Sequence, residues 1–224
     1  MADARAARGV PVWDAAVRLF HWVLVGLIAF SWWSAENHRM EWHRRSGYAI
    51  LALLVFRLIW GFVGGRTALF AHFVKGPRST IAYMRGPASV PDTPGHNPLG
   101  GWSVLAMLAT LVAMVSAGLV AVDVDGLESG PLADRVSFEA GRAAAKVHAM
   151  IFNLLLVLIA LHVAAILFYL VVRRRNLIGP MIHGRARAGT GEPAVPLGGS
   201  AWRAGAALAI GAGCAWAVST GFRF

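Results

Sequence analysis

The chain has 224 residues, 57% of them hydrophobic and only 14% charged, with a formal net charge of +10. That apolar excess excludes a disordered chain, which requires low hydropathy, and argues against a water-soluble protein. The single cysteine, Cys214, excludes an internal disulfide, a thiolate zinc site, an iron–sulfur cluster and covalent haem attachment through Cys-x-x-Cys-His.

In chain order, the first apolar run is Ala15–Trp33. It ends in Ser31-Trp32-Trp33-Ser34 without a small-x-small cleavage pattern, so it reads as a retained span with an interfacial tryptophan pair. The second run is Gly47–Val63. The segment 64–100 follows, with turn signals at Gly64-Gly65, Gly76-Pro77, Gly86-Pro87 and Pro94-Gly95 around one short amphipathic helix, Arg78–Arg85. Trp102–Val122 and Val147–Val172 are the third and fourth runs, and Arg173-Arg174-Arg175 follows the fourth directly. Residues 176–201 read as irregular, and a fifth, shorter run rich in Ala and Gly covers Trp202–Thr220. The four main runs lack proline and approach the roughly 20 residues that cross a hydrocarbon core as a helix. The expected fold is an all-α integral membrane protein: a four-helix transmembrane bundle followed by a fifth C-terminal span. No internal repeat is visible.

Charge sets an orientation. With the N-terminus inside, the segments 1–18, 64–100 and 173–203 hold thirteen Lys/Arg and four Asp/Glu, while the outside segments hold seven of each. The positive-inside rule therefore places the N-terminus in the cytoplasm. The basic charge is topological, so a nucleic-acid partner is not expected.

Four of the eight histidines carry chemistry. His21 lies a few residues into the first span, His43 at the outer entrance to the second, His148 at the outer entrance to the fourth and His162 deep within it. His148 and His162 are 14 residues apart, so they project from nearly one helix face with a rise of about 21 Å. Each has a partner at its own depth: His43 outside and His21 inside. Two imidazoles saturate the axial positions of a haem iron and leave no open site for oxygen chemistry, which favours electron transfer. The expected ligand pairs are His43 with His148 and His21 with His162, a two-haem wire across the membrane. A metal or proton path lined by the same histidines is the rival reading, as is a set of structural histidines without haem.

Arg57 lies 14 residues after His43 on the same helix face, near the inner level. It would either pair with a haem propionate or snorkel to the interface. Gly47, one turn below His43, would let a flat macrocycle approach the backbone or serve helix packing. Arg44 and Arg45 would bind outer propionates or sit among headgroups. The acidic residues Asp123, Asp125, Glu128, Asp134 and Glu139 would steer a basic partner or simply be solvated.

Several stretches resemble a known family. Val17-Arg18-Leu19-Phe20-His21-Trp22 is similar to the first-helix motif of prokaryotic cytochrome b561 and of the b-type cytochrome subunits of membrane-bound nickel–iron hydrogenases. Glu41-Trp42-His43-Arg44-Arg45-Ser46-Gly47-Tyr48 resembles the second-helix haem motif. Phe56-Arg57-Leu58-Ile59-Trp60-Gly61-Phe62-Val63-Gly64 and Gly95-His96-Asn97-Pro98-Leu99 resemble the stretches flanking the inner loop. The spacing of His148 and His162 and the ending Asn176-Leu177-Ile178-Gly179-Pro180-Met181-Ile182-His183-Gly184 are also similar. The resemblance covers residues 10–184 and implies two haem b groups on His21, His43, His148 and His162, with quinone as redox partner.

The organisation expected is a di-haem domain over 1–184, a linker over 185–201 and the fifth span over 202–224. The function expected is electron transfer between a periplasmic donor or acceptor and the quinone pool of a bacterial inner membrane. Partners would be lipid, quinone and a separate outer protein such as a c-type cytochrome. The alternatives are the membrane anchor of a larger respiratory dehydrogenase and, in another class, a metal or proton transporter.

Overall fold

The computed structural model describes residues 9–86, 95–186 and 197–223. The turn signals Gly86-Pro87 and Pro94-Gly95 and the linker fall partly outside the described residues. Among those described, five helices are long and apolar enough to cross a membrane. The end holding residues 9–14, 64–76 and 173–186 is called inner below, following the charge assignment.

Helix α1 spans Ala15–Glu36. Asp14 caps it, its Oδ1 accepting the Val17 N–H at 2.7 Å, which satisfies one of the first-turn donors a helix leaves open. A tight outer turn at 37–39, with His38 at φ 54°, leads into α2, Met40–Val63. Gly64-Gly65 end α2, and the inner connection forms a 3₁₀ turn, Arg66–Ala68, and two short helices, α3 (Phe70–Phe73) and α4 (Pro77–Arg85). Pro77 stands at the start of α4, where its missing N–H costs nothing. Helix α5, Pro98–Val120, is capped by Asn97 through the Gly100 N–H. Helix α6, Phe138–Val171, is capped by Ser137 through the Ala140 N–H.

The helices outrun the apolar runs. Helix α2 begins seven residues before Gly47, and α6 begins nine before Val147. His148 is therefore not at the mouth of its helix but in its eleventh position. Hydropathy locates the part of a helix that meets lipid, whereas caps and turn residues locate its ends. The polar opening turns with Glu41, Arg44 and Arg45, and with Glu139, Arg142 and Lys146, stand beyond the apolar run.

Past α6, a short helix α7 (Ile178–His183) closes on Gly184 at φ 84°. Arg185–Ala186 (β2) then pairs antiparallel with Val10–Pro11 (β1), so the expected all-α chain carries one small ribbon. The N–H groups of Val12 and Trp13 donate to the Gly184 carbonyl, Arg18 Nη1 to Ile182 O and Trp22 Nε1 to Met181 O. These bonds fasten α7 against the residues that flank His21.

Helix α8, Ala201–Ser219, is the fifth span and runs along α2, the most extensive helix pairing in the fold. Its small buried positions, Ala207, Gly211 and Ala215, permit close approach, and a Cβ on Gly211 would overlap the Ala52 carbonyl. Helix α1 packs along α2, α6 along α5, and α2 and α5 meet over a shorter stretch. The core joins Leu24, Ile50, Leu54, Trp60, Leu111 and Leu155 from these four helices. In the strongly apolar α6, Gly141 and Leu155 are the only residues fully buried within the protein, so lipid must cover the rest. Helices α1 and α6 meet through rings, Trp32 on Phe152 at 5.7 Å and His21 opposite His162.

Candidate functional site: two facing histidine pairs

The outer pair joins His43 of α2 and His148 of α6, with ring centroids 6.0 Å apart and planes at 86°. Both rings are oriented by backbone oxygen. His43 Nδ1 lies 2.9 Å from the Ser31 carbonyl and 3.1 Å from Ser31 Oγ, and His148 Nδ1 lies 2.7 Å from the Met114 carbonyl. A carbonyl can only accept, so each Nδ1 carries the proton and each Nε2 keeps its lone pair for a metal. Gly118, one turn beyond Met114, gives His148 its place: a Cβ there would stand 3.0 Å from the ring.

The inner pair joins His21 of α1 and His162 of α6, with centroids 6.5 Å apart and planes at 51°. His21 packs edge-on against Trp22 at 4.9 Å. Its Nδ1 is buried and has no hydrogen-bond partner among the described residues. What fixes the ring is its neighbours, since Arg18 and Trp22 are bonded to α7.

An imidazole nitrogen binds a metal at about 2.0–2.1 Å, so two rings on opposite sides of one ion place their centroids about 6 Å apart. Both pairs meet that spacing. Among the described residues no three His, Cys, Asp or Glu side chains converge on a common point. Such two-imidazole sites suit an iron whose remaining positions a macrocycle fills, rather than an ion held by protein alone. Beside Gly47, nothing lies within 4 Å of where a Cβ would stand, which leaves room for a flat ring next to His43. The facing rings and this opening both fit haem.

Arg57 is 3% exposed, so it does not snorkel. Its guanidinium donates to the Ala68 carbonyl at 3.3 Å and lies 5.0 Å and 5.9 Å from the rings of Phe70 and Phe73. The inner connection folds back and covers it. Phe73 also touches His96 at 4.7 Å, and Trp13 closes the other side of that ring at 4.6 Å. Loss of hydration, then the fields of Arg57 and His162, push the His96 imidazole down to about 3. Arg57 and the inner pair thus act on one common neighbour. The outer arginines are engaged elsewhere: Arg44 pairs with Glu128, and Arg45 pairs with Glu41 at 2.5 Å and sits over Trp42 at 5.1 Å. Glu128 and Asp134, two residues of the outer acidic group, are held in ion pairs within the chain, Asp134 with Arg223.

A family model for prokaryotic cytochrome b561 matches residues 12–184. The chain belongs to the prokaryotic cytochrome b561 family. Comparison with curated proteins and with solved structures found no match. Membership of the cytochrome b561 family, with five candidate spans, makes this a multi-pass bacterial membrane protein of the b-type cytochrome, electron-transfer class, whose cofactor is haem b. All four histidines fall within the cytochrome b561 match, and α8 lies beyond it.

Sequence reading missed several parts of the site. The carbonyls of Ser31 and Met114 have no residue signature, and Gly118 looks like any packing glycine. His96 stands in the connection before α5, and only its place in Gly95-His96-Asn97-Pro98 marks it in the sequence. A third feature is the cluster in which Asn97 Nδ2 donates to Tyr83 Oη at 3.2 Å and Tyr169 Oη at 2.6 Å, with the hydroxyls 2.9 Å apart. It ties α4 to α6, seven residues inward of His162.

Proposed function

We propose that the chain holds two haems in one transmembrane electron path. The outer group would sit on His43 and His148, and the inner group on His21 and His162. The observation that carries this reading is the pair of facing imidazoles repeated at two depths, about 21 Å apart along α6. When bound, each haem would supply reversible one-electron chemistry. The Ser31 and Met114 carbonyls hold the outer imidazoles in the tautomer that ligates through Nε2. Gly47 leaves room for the outer macrocycle, and Arg57 places a buried cation at the level of the inner group.

Residues 1–184 form the di-haem unit on this reading, 185–201 its linker and 202–224 the fifth span. With the N-terminus cytoplasmic, the outer connection 121–137 is too short to house a catalytic domain, so the outer electron partner is a separate molecule. Quinone is the membrane partner, and a c-type cytochrome or a dehydrogenase subunit is the outer one. A metal or proton path is the weaker reading of the same rings, because the helices that carry them are continuous rather than broken.

Quantifying extracted haem on purified full-length protein tests the reading. Two noncovalent b-type haems per chain are expected, with a b-type reduced-minus-oxidised spectrum. Well-folded protein with one haem or none would sink it.

A further inference from the structure

The two histidine pairs carry the same ligands in different electrostatic settings. At the outer pair both Nδ1–H groups donate to backbone carbonyls, Ser31 and Met114. Such a bond makes the imidazole a stronger electron donor. A stronger donor favours the more positive ferric state and lowers the reduction potential. At the inner pair His21 Nδ1 has no such acceptor among the described residues.

Fixed charge acts in the same direction. Arg57 follows His43 by the same 14 residues that separate His162 from His148, and both helices run inward, so Arg57 lies at the level of the inner pair. It is 3% exposed and in no ion pair among the described residues. The Asp14 carboxylate, which holds the Val17 N–H and Trp60 Nε1 at 3.2 Å, reaches Arg57 through its field without forming an ion pair and offsets the cation only in part. A buried cation in low dielectric favours whichever state of a neighbouring centre is less positive, which for iron is the ferrous state. Outside, Arg44 and Arg45 are each neutralised by a glutamate, Glu128 and Glu41.

We infer that Arg57 and the Ser31 and Met114 carbonyls split the reduction potentials of the two sites, outer below inner, so that electrons run inward. The inference rests on the di-haem reading. With haem at both sites, one electron would pass from the group held by His43 and His148 to the group held by His21 and His162, oxidising the first and reducing the second. No bond is made or broken. An outer one-electron reductant refills the first site, and a membrane quinone empties the second.

A redox titration of the full-length holoprotein, followed in the haem absorption bands, tests this after the haem count. Wild type should titrate in two steps. His148→Ala, which removes an outer ligand, should lose the lower step, and His43→Ala is the second variant should that one fail to fold. Arg57→Gln should lower the upper step and leave the lower in place, while Arg57→Lys keeps the upper step near wild type. Gly118→Ala, whose Cβ would stand 3.0 Å from the His148 ring and press on its bond to the Met114 carbonyl, should raise the lower step. Loss of the upper step in the outer-ligand variants overturns the inference, as does an Arg57→Gln titration indistinguishable from wild type. A wild-type count below two haems overturns the underlying reading instead.

Discussion

The outer and inner histidine pairs are alike in ring spacing and differ in support. Outside, the rings are held directly: each Nδ1 meets a backbone carbonyl, and Gly118 gives His148 a fitted seat. Inside, no hydrogen bond to His21 Nδ1 exists among the described residues. That ring is held through its chain neighbours Arg18 and Trp22, both bonded to α7, while Tyr83, Tyr169 and Asn97 brace α6 two turns below His162. Direct support fixes tautomer and basicity together with position. Indirect support fixes position alone, and on the inference drawn from Arg57 the electronics would fall to buried charge.

That contrast can be broken by substitutions, the largest effect first. Removing a ligand should abolish one site: His162→Ala is expected to lose the inner haem entirely and keep the outer, read by haem count and spectrum. Gly118→Val should follow in size, because its branched side chain displaces the His148 ring from Met114. Outer-haem affinity is then expected to fall about 10–100-fold, the range for losing an outer-shell partner, with inner affinity unchanged in a haem-transfer assay. Equal weakening at both sites would dissolve the distinction drawn here.

Smaller effects belong to the inner end. Tyr169→Phe removes one hydroxyl from the brace and should lower thermal stability by about 1 kcal/mol, with the inner haem released before the outer on heating. The smallest is a pH effect. His96 stays neutral in the folded protein, its value pushed down to about 3 from an ordinary 6.5. The unfolded chain therefore binds a proton that the folded chain refuses, and stability falls as pH drops from 6.5 toward 3, with no such effect above 6.5. His96→Phe should flatten that slope in melting curves taken between pH 7 and pH 5. An unchanged slope would place the acid sensitivity elsewhere.

How much was legible from sequence follows the same division. The positions of the four histidines could be read because helical periodicity and membrane depth are both written in residue order. Fourteen residues bring His148 and His162 to one face, and the apolar runs set the levels of His21 and His43. Helix ends were less legible, since hydropathy stops at the membrane while Ser137 caps α6 ten residues before Val147. Contacts made by backbone carbonyls leave no trace in residue identity, which hid Ser31 and Met114. Pairings between distant segments were hidden too. Arg44 meets Glu128 across 84 positions, and Arg57 is covered by Phe70 and Phe73 only because the inner connection turns back at Gly64-Gly65. The fifth span could be read as apolar, but its seat along α2 depends on Gly211 meeting Ala52, a packing match that composition does not encode.

The central claim is the pairing, and paired depletion tests it most directly. Haem content and low-temperature spectra would be compared for His43→Ala, His148→Ala and the double variant, and for the matching set at His21 and His162. The account predicts that His43→Ala, His148→Ala and their double variant all lose the same single haem, while the inner set all lose the other. Loss of different haems from His43→Ala and His148→Ala, or of both haems from their double variant alone, would contradict it.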